Sequence, residues 1–108
     1  MKILKTDNGS DGFYQRAWQF CAKIPRGKVS TYKIIAEKLG TKAYRAVGQA
    51  MNRNPYAPRV PCHRVVNSDA GIGGFARGRK KKIEMLKKEG IEFDGEKIKE
   101  FRNRLFRF

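Results

Sequence analysis

Proline and glycine interrupt this chain so often that only short elements fit between the breaks, and the fold has to be assembled from small pieces. Pro25 and Gly27 close a first block, Gly40 a second, and Asn54 with Pro55 a third. Pro58, Pro61 and the glycines Gly71, Gly73, Gly74 and Gly78 break up the middle, and Gly90 and Asp94-Gly95 punctuate the rest. No apolar run reaches the length of a membrane span, and no secretory leader is recognisable.

Between those breaks, Phe13, Ala17, Phe20, Cys21 and Ile24 recur at the spacing of one helical face, which predicts a first helix capped by Ser10 or Asp11. Val29 opens a short extended stretch, and Ser30 or Thr31 caps a second helix through about Leu39. Thr41 starts a third, from about Lys42 to Asn52. Two short helices joined by little more than a Gly-Thr turn, the second carrying Arg45 and Arg53, have the outline of a helix-turn-helix over about residues 31–53. The loop that follows, about 54–78, opens with an extended, turn-rich connection from Tyr56 to Val66 in which no helix is expected. Its glycines look superficially like a nucleotide-binding run. The Gly-Lys-Ser/Thr phosphate signature and a strand-helix-strand unit are missing, so they are read as letting backbone approach a ligand closely.

From Arg79 to Glu89 a basic helix turns Ile83 and Leu86 inward and stops at Gly90. The tail turns at Asp94-Gly95 and then carries Ile98, Phe101, Leu105 and Phe106 at helical spacing, packing on the core. The predicted fold is mainly α with short strands, a winged-helix-like helix-turn-helix domain occupying residues 1–108 as one unit.

The 25 Lys and Arg against 10 Asp and Glu give a formal net charge of +15, more than solubility requires, and point to a polyanionic partner, nucleic acid first. A Lys-rich solvated surface is the plainer reading of the same count. A membrane surface is disfavoured, because no long basic amphipathic helix is present.

Cys21 and Cys62 are read as separate thiols in a reducing, cytoplasmic setting, and a lone histidine without a Cys-x-x-Cys pair cannot assemble a four-ligand zinc site. No metal and no cofactor are expected. Cys21, on the apolar face of the first helix beside Phe20, reads as a small buried hydrophobe. Cys62 stands in a different setting, Pro61-Cys62-His63-Arg64-Val65, next to the only histidine and in a proline-bracketed loop. A thiol attacks as its thiolate and needs a base or a positive field, and His63 and Arg64 offer both. Neighbours on a strand point apart, so Cys62 and His63 couple only through a tight turn or a bridging water.

The run Pro61-Cys62-His63-Arg64-Val65-Val66 resembles the active-site signature of the O6-alkylguanine-DNA alkyltransferases. Arg45-Ala46-Val47-Gly48 is similar to that family's recognition helix, Asn54-Pro55 to its hinge, and Glu89-Gly90 to the acidic residue closing its catalytic network, so the match runs from about Phe13 to Gly90. The resemblance implies single-turnover transfer of an alkyl group from O6 of guanine, and from O4 of thymine, to Cys62. It makes His63 a base acting through a water, Glu89 the group orienting His63, and Asn54 the stabiliser of the active-site turn. It makes Arg45 the wedge that fills the stack vacated by a flipped nucleotide, and Tyr32 the residue that crowds the flanking phosphate. Ala46 and Gly48 let the helix lie close in the minor groove of duplex DNA, and Val65, Phe75 and Ala76 line the base pocket. The protein is then expected to act as a monomer.

The chain departs from the family pattern at Phe75, often tyrosine, at Ala76, often serine, and at Arg77, where a small residue is common; a separate N-terminal domain found in many relatives is missing. The alternative is a non-catalytic alkyltransferase-like protein that flags alkylated guanine for excision repair, though those proteins carry tryptophan at the nucleophile position. A helix-turn-helix transcription regulator ranks third.

Overall fold

A computed structural model describes residues 9–75 and 77–108. Helix α1 runs from Gly9 to Cys21 and buries Ala17, Trp18 and Cys21, one side of a helix spaced by three and four residues. It already includes Ser10 and Asp11, so neither is its cap: the helix starts one turn earlier than the apolar spacing suggests. Strand β1, Ser30–Thr31, leads directly into α2, Tyr32–Lys38, whose cap is Thr31; its hydroxyl accepts the Ile34 N–H at 3.0 Å.

Helix α3, Tyr44–Asn52, begins two residues later than the expected Lys42. Thr41 spends its hydroxyl on the Ala43 N–H, 3.1 Å away, holding the turn together rather than opening the helix. The helix-turn-helix of α2 and α3 leans on α1 through the Trp18 indole N–H, which donates to the Ala50 carbonyl at 2.7 Å. That carbonyl lies in the last turn of α3, where no intrahelical donor remains for it.

Beyond α3 the extended, turn-rich connection, in which no helix was expected, tightens into a single 3₁₀ turn at Cys62–Arg64 and runs on into β2, Val65–Val66. Proline at 61 favours this turn, and the Arg64 N–H closes it on the Pro61 carbonyl at 2.9 Å. Strand β2 pairs in parallel with β1, Ser30 opposite Val65 and Thr31 opposite Val66. Successive strand residues face opposite ways, and here they divide the core: Val65 joins Ala17, Cys21, Ile35, Val47 and Cys62, whereas Val66 joins Val29, Leu86, Ile91 and Ile98. The strand pair is thus a seam between two apolar clusters, and the Cys62 turn sits at its end.

Helix α4 spans Arg79–Lys88 with Glu89 as its cap residue. Leu86 is fully buried, but Ile83 is only half-buried; the other fully buried side chain of this helix is Lys82, one turn before Leu86. The tail differs from expectation as well. Ile98 belongs to a hairpin of β3, Phe93–Asp94, with β4, Lys97–Ile98, and α5 is a single turn, Phe101–Arg104, because Leu105 is drawn off to bridge Val29. The architecture is mainly helical with two short strand pairs. No helix among the described residues is long and apolar enough to cross a membrane.

Candidate active site and basic face

Asn54 fixes the approach to the cysteine. Its side-chain amide donates to the Val60 carbonyl at 2.8 Å while its carbonyl oxygen accepts the Tyr56 N–H at 2.9 Å, so one residue clamps both ends of the loop that delivers Pro61. Cys62 opens the 3₁₀ turn at 6% exposure, packed in the first core cluster. The turn keeps Cys62, His63 and Arg64 together on a tight bend.

His63, at 3% exposure, places Nε2 3.0 Å from Oε2 of Glu89. The same carboxylate takes a two-pronged bond from Arg64, Nε to Oε1 at 2.9 Å and NH2 to Oε2 at 2.8 Å, while Arg64 also donates to the Ile24 carbonyl at 2.8 Å. Burial pushes the Glu89 carboxyl up, but the hydrogen bonds and charges of Arg64 and His63 outweigh it and hold it below the ordinary range. His63 is lowered: burial, with help from the Arg64 and Lys82 charges, overcomes the support of Glu89. The imidazole is therefore neutral near pH 7, and its contact with Glu89 is a hydrogen bond; the ion pair belongs to Arg64. Since a carboxylate only accepts, Nε2 carries the proton and Nδ1 is left as a base. Both thiols are free. Burial pushes the Cys21 thiol far up, and that group stays protonated.

Lys82 is the site residue that sequence reasoning missed. Its ammonium, fully buried, donates to the Val65 carbonyl at 2.7 Å, the Gly74 carbonyl at 3.1 Å and the Tyr32 hydroxyl at 3.3 Å, and lies 5.6 Å from the Tyr32 ring centre and 6.0 Å from that of Phe75. It gathers β2, the glycine loop and the first turn of α2 around one cation. A signal was available: Lys82 precedes Leu86 by four residues and so shares its buried face. Desolvation brings its pKa down to about 8, with the charges of Cys62 and Cys21 acting the other way. Tyr32 is pushed up to about 12 by burial and then by the two thiolate positions.

A lysine whose folded pKa is about 8 releases its proton before the unfolded chain does, near 10.5, so stability should rise with pH from about 8. Above 9 and 10, the ordinary values of the thiol and phenol, the raised groups Cys21 and Tyr32 act in the opposite sense. Urea midpoints measured between pH 8 and 9 should climb, and Lys82→Met should flatten the climb.

Gly73 shows how closely the loop approaches this cluster. Its φ of +71° suits glycine, and a Cβ there would stand 3.0 Å from the Tyr32 ring and hydroxyl. Phe75 is half-buried beside Lys82, Val65 is buried in the seam, and Ala76 lies outside the described residues.

The remaining candidates lie on the outer face of α3. Val47, Ala50 and Met51 point into the core, which leaves Tyr44, Arg45, Gly48, Gln49 and Asn52 outward, with Ala46 half-buried. This face forms one wall of a cavity of about 570 Å³ whose opposite wall includes Tyr32, Asn67 and Gly74. Neither Cys62, His63 nor Glu89 borders it. Tyr32 and Gly74, which line the cavity, are the residues that Lys82 ties to the buried cluster behind. Among the described residues no group of His, Cys, Asp and Glu is arranged to hold a metal.

Fold and site together define a basic helix-turn-helix protein with a buried cysteine next to a His-Glu-Arg network. The family model for the DNA binding domain of 6-O-methylguanine DNA methyltransferase matches residues 12–91, and the chain belongs to that family. Among curated relatives, the methylated-DNA–protein-cysteine methyltransferase of Saccharolobus solfataricus is 53% identical over 70 residues, covering 65% of this chain and 45% of its own. That of Methanosarcina barkeri is 48% identical over 82 residues, covering 75% and 51%. The chain thus spans about half the length of these relatives. Among solved structures, Schizosaccharomyces pombe Atl1 in complex with damaged DNA containing O6-carboxymethylguanine is 30% identical, covers 100% of both chains and superposes with a TM-score of 0.78. Mycobacterium tuberculosis OGT in complex with DNA is 37% identical, covers 82% of this chain and 52% of its own, and has a TM-score of 0.72.

Proposed function

We propose that this protein repairs DNA by moving an alkyl group from O6 of guanine to the sulfur of Cys62, once per molecule. The observation that carries the reading is His63 held through Nε2 by Glu89, directly beside Cys62 in a buried turn. His63 takes the thiol proton through a water, and the thiolate displaces guanine from the alkyl carbon: the S–C bond forms as the C–O bond breaks. The guanine then takes up a proton from the Tyr32 hydroxyl, which Lys82 polarises by donating to its oxygen. Asn54 positions Cys62, and Val65 and Phe75 belong to the base pocket.

The target oxygen lies inside the duplex stack, so the nucleotide must be rotated out. Arg45, exposed at the first turn of α3 and facing the cavity, is the group that takes its place; Gly48 and Ala46 let the helix come close to the minor groove. Arg45→Ala should slow transfer strongly on duplex DNA and little on single strands, in single-turnover assays at saturating DNA. Equal slowing on both substrates would sink the wedge, and no slowing at saturation would make Arg45 an ordinary phosphate contact.

A second reading is favoured by one observation, the full-length match to Atl1 at a TM-score of 0.78: binding of the lesion without chemistry. The two separate on the DNA product. A duplex with a single O6-methylguanine, digested to nucleosides after incubation, should have lost O6-methylguanine in an amount equal to the protein added. Lesion bound but unchanged would favour the second reading.

A further inference from the structure

Tyr44 is the exposed large hydrophobic side chain among the described residues, at 41% exposure, and it occupies the first position of α3, immediately before Arg45. It makes no packing contribution to either apolar cluster, and among the described residues no side chain hydrogen-bonds to it. Both Tyr44 and Arg45 border the same cavity, together with Lys33, Gly48 and Gln49. The helix that carries them starts without a side-chain cap, so its leading turn presents only backbone, an aromatic ring and a guanidinium. A ring left in water on an otherwise polar face gains most from a flat apolar partner, and a base of partly opened DNA is such a partner.

We propose that Tyr44 is a second wedge, which packs its ring against the base step beside the extruded nucleotide while Arg45 fills the gap itself. The proposal rests on the function proposed above and deepens it. One arginine holds an opened stack from a single point. A neighbouring aromatic inserted at the adjoining step spreads that step and lowers the cost of rotation, as apolar side chains do where proteins kink DNA through the minor groove. Because Tyr44 is exposed and uninvolved in the core, replacing it leaves the fold intact.

The test is single-turnover transfer at saturating DNA for the parent protein, Tyr44→Ala and Tyr44→Phe. Three O6-methylguanine substrates are compared: an intact duplex, the same duplex with an abasic nucleotide next to the lesion, and a single strand. Tyr44→Ala should slow transfer about tenfold on the intact duplex and leave the other two substrates nearly unchanged, because neither offers a stacked step to open. Tyr44→Phe should match the parent. Equal slowing on all three, no slowing on the intact duplex, or a phenylalanine variant as slow as the alanine one would overturn the wedge. A parent protein that transfers from none of the three would instead sink the proposed function, and this inference with it.

Discussion

Cys62→Ala should abolish transfer completely while the protein still binds an O6-methylguanine duplex. The two properties sit on different parts of the molecule: the sulfur lies at 6% exposure in the 3₁₀ turn, and Arg45 and the outer face of α3 line a cavity that Cys62 does not border. Alanine removes a single atom from a packed site, at a cost to stability of about 1–2 kcal/mol, which a folded domain tolerates. Cys21→Ala removes the same atom from the same cluster and should leave transfer unchanged, since that thiol is fully buried and held protonated. Rates of transfer for both variants, with gel-shift affinities alongside, check the pair. Binding lost in step with transfer would place the thiol in the DNA interface.

Glu89→Gln should lower the rate by about 10² to 10⁴. The carboxylate accepts three hydrogen bonds, one from His63 and two from Arg64. Glutamine has the same shape, but one of its two atoms is a donor and must meet another donor. With its carbonyl in the Oε1 place beside Arg64 Nε, the amide in the Oε2 place faces Nε2, the imidazole changes tautomer, and Nδ1 gains the proton that it should be free to take. The pH profile distinguishes this loss from a general loosening. In the parent protein the lowered His63 keeps its neutral form below the ordinary value of 6.5, so transfer should persist into mildly acidic solution. In Glu89→Gln, with the raising influence of the carboxylate gone, the acid limb should move further down even as the plateau drops. A variant with an unchanged plateau would remove Glu89 from the proton path.

Much of this was legible in the sequence because local signals are strong where backbone is constrained. Pro25-Arg26-Gly27, Gly40 and Asn54-Pro55 end the first three helical blocks close to where the structure ends them. The adjacency of Cys62, His63 and Arg64 directly after Pro61 marked the turn that now holds the thiol. What stayed hidden depends on distant pairings. The run Arg79-Lys80-Lys81-Lys82 looks like a solvated basic face, and only the packing of α4 against β2 and Tyr32 shows that its last member is enclosed by three oxygens. Arg64 offered a positive field for Cys62, but its charge is taken up by Glu89, twenty-five residues on, and the fully buried cation is Lys82, held on the Val65 carbonyl. The tail failed for a related reason. Ile98, Phe101 and Leu105 are spaced like a helix, but hairpin pairing with Phe93 and the Leu105 bridge to Val29 outweigh that local preference.

The central claim is that the alkyl group ends on Cys62, and intact-mass measurement tests it directly. After incubation with a molar excess of duplex containing O6-methylguanine, the whole protein population should gain the mass of a single methylene, and fragmentation should place it on the peptide carrying Cys62. An unchanged mass with lesion bound, or a gain located on Cys21 or Lys82, would contradict the account.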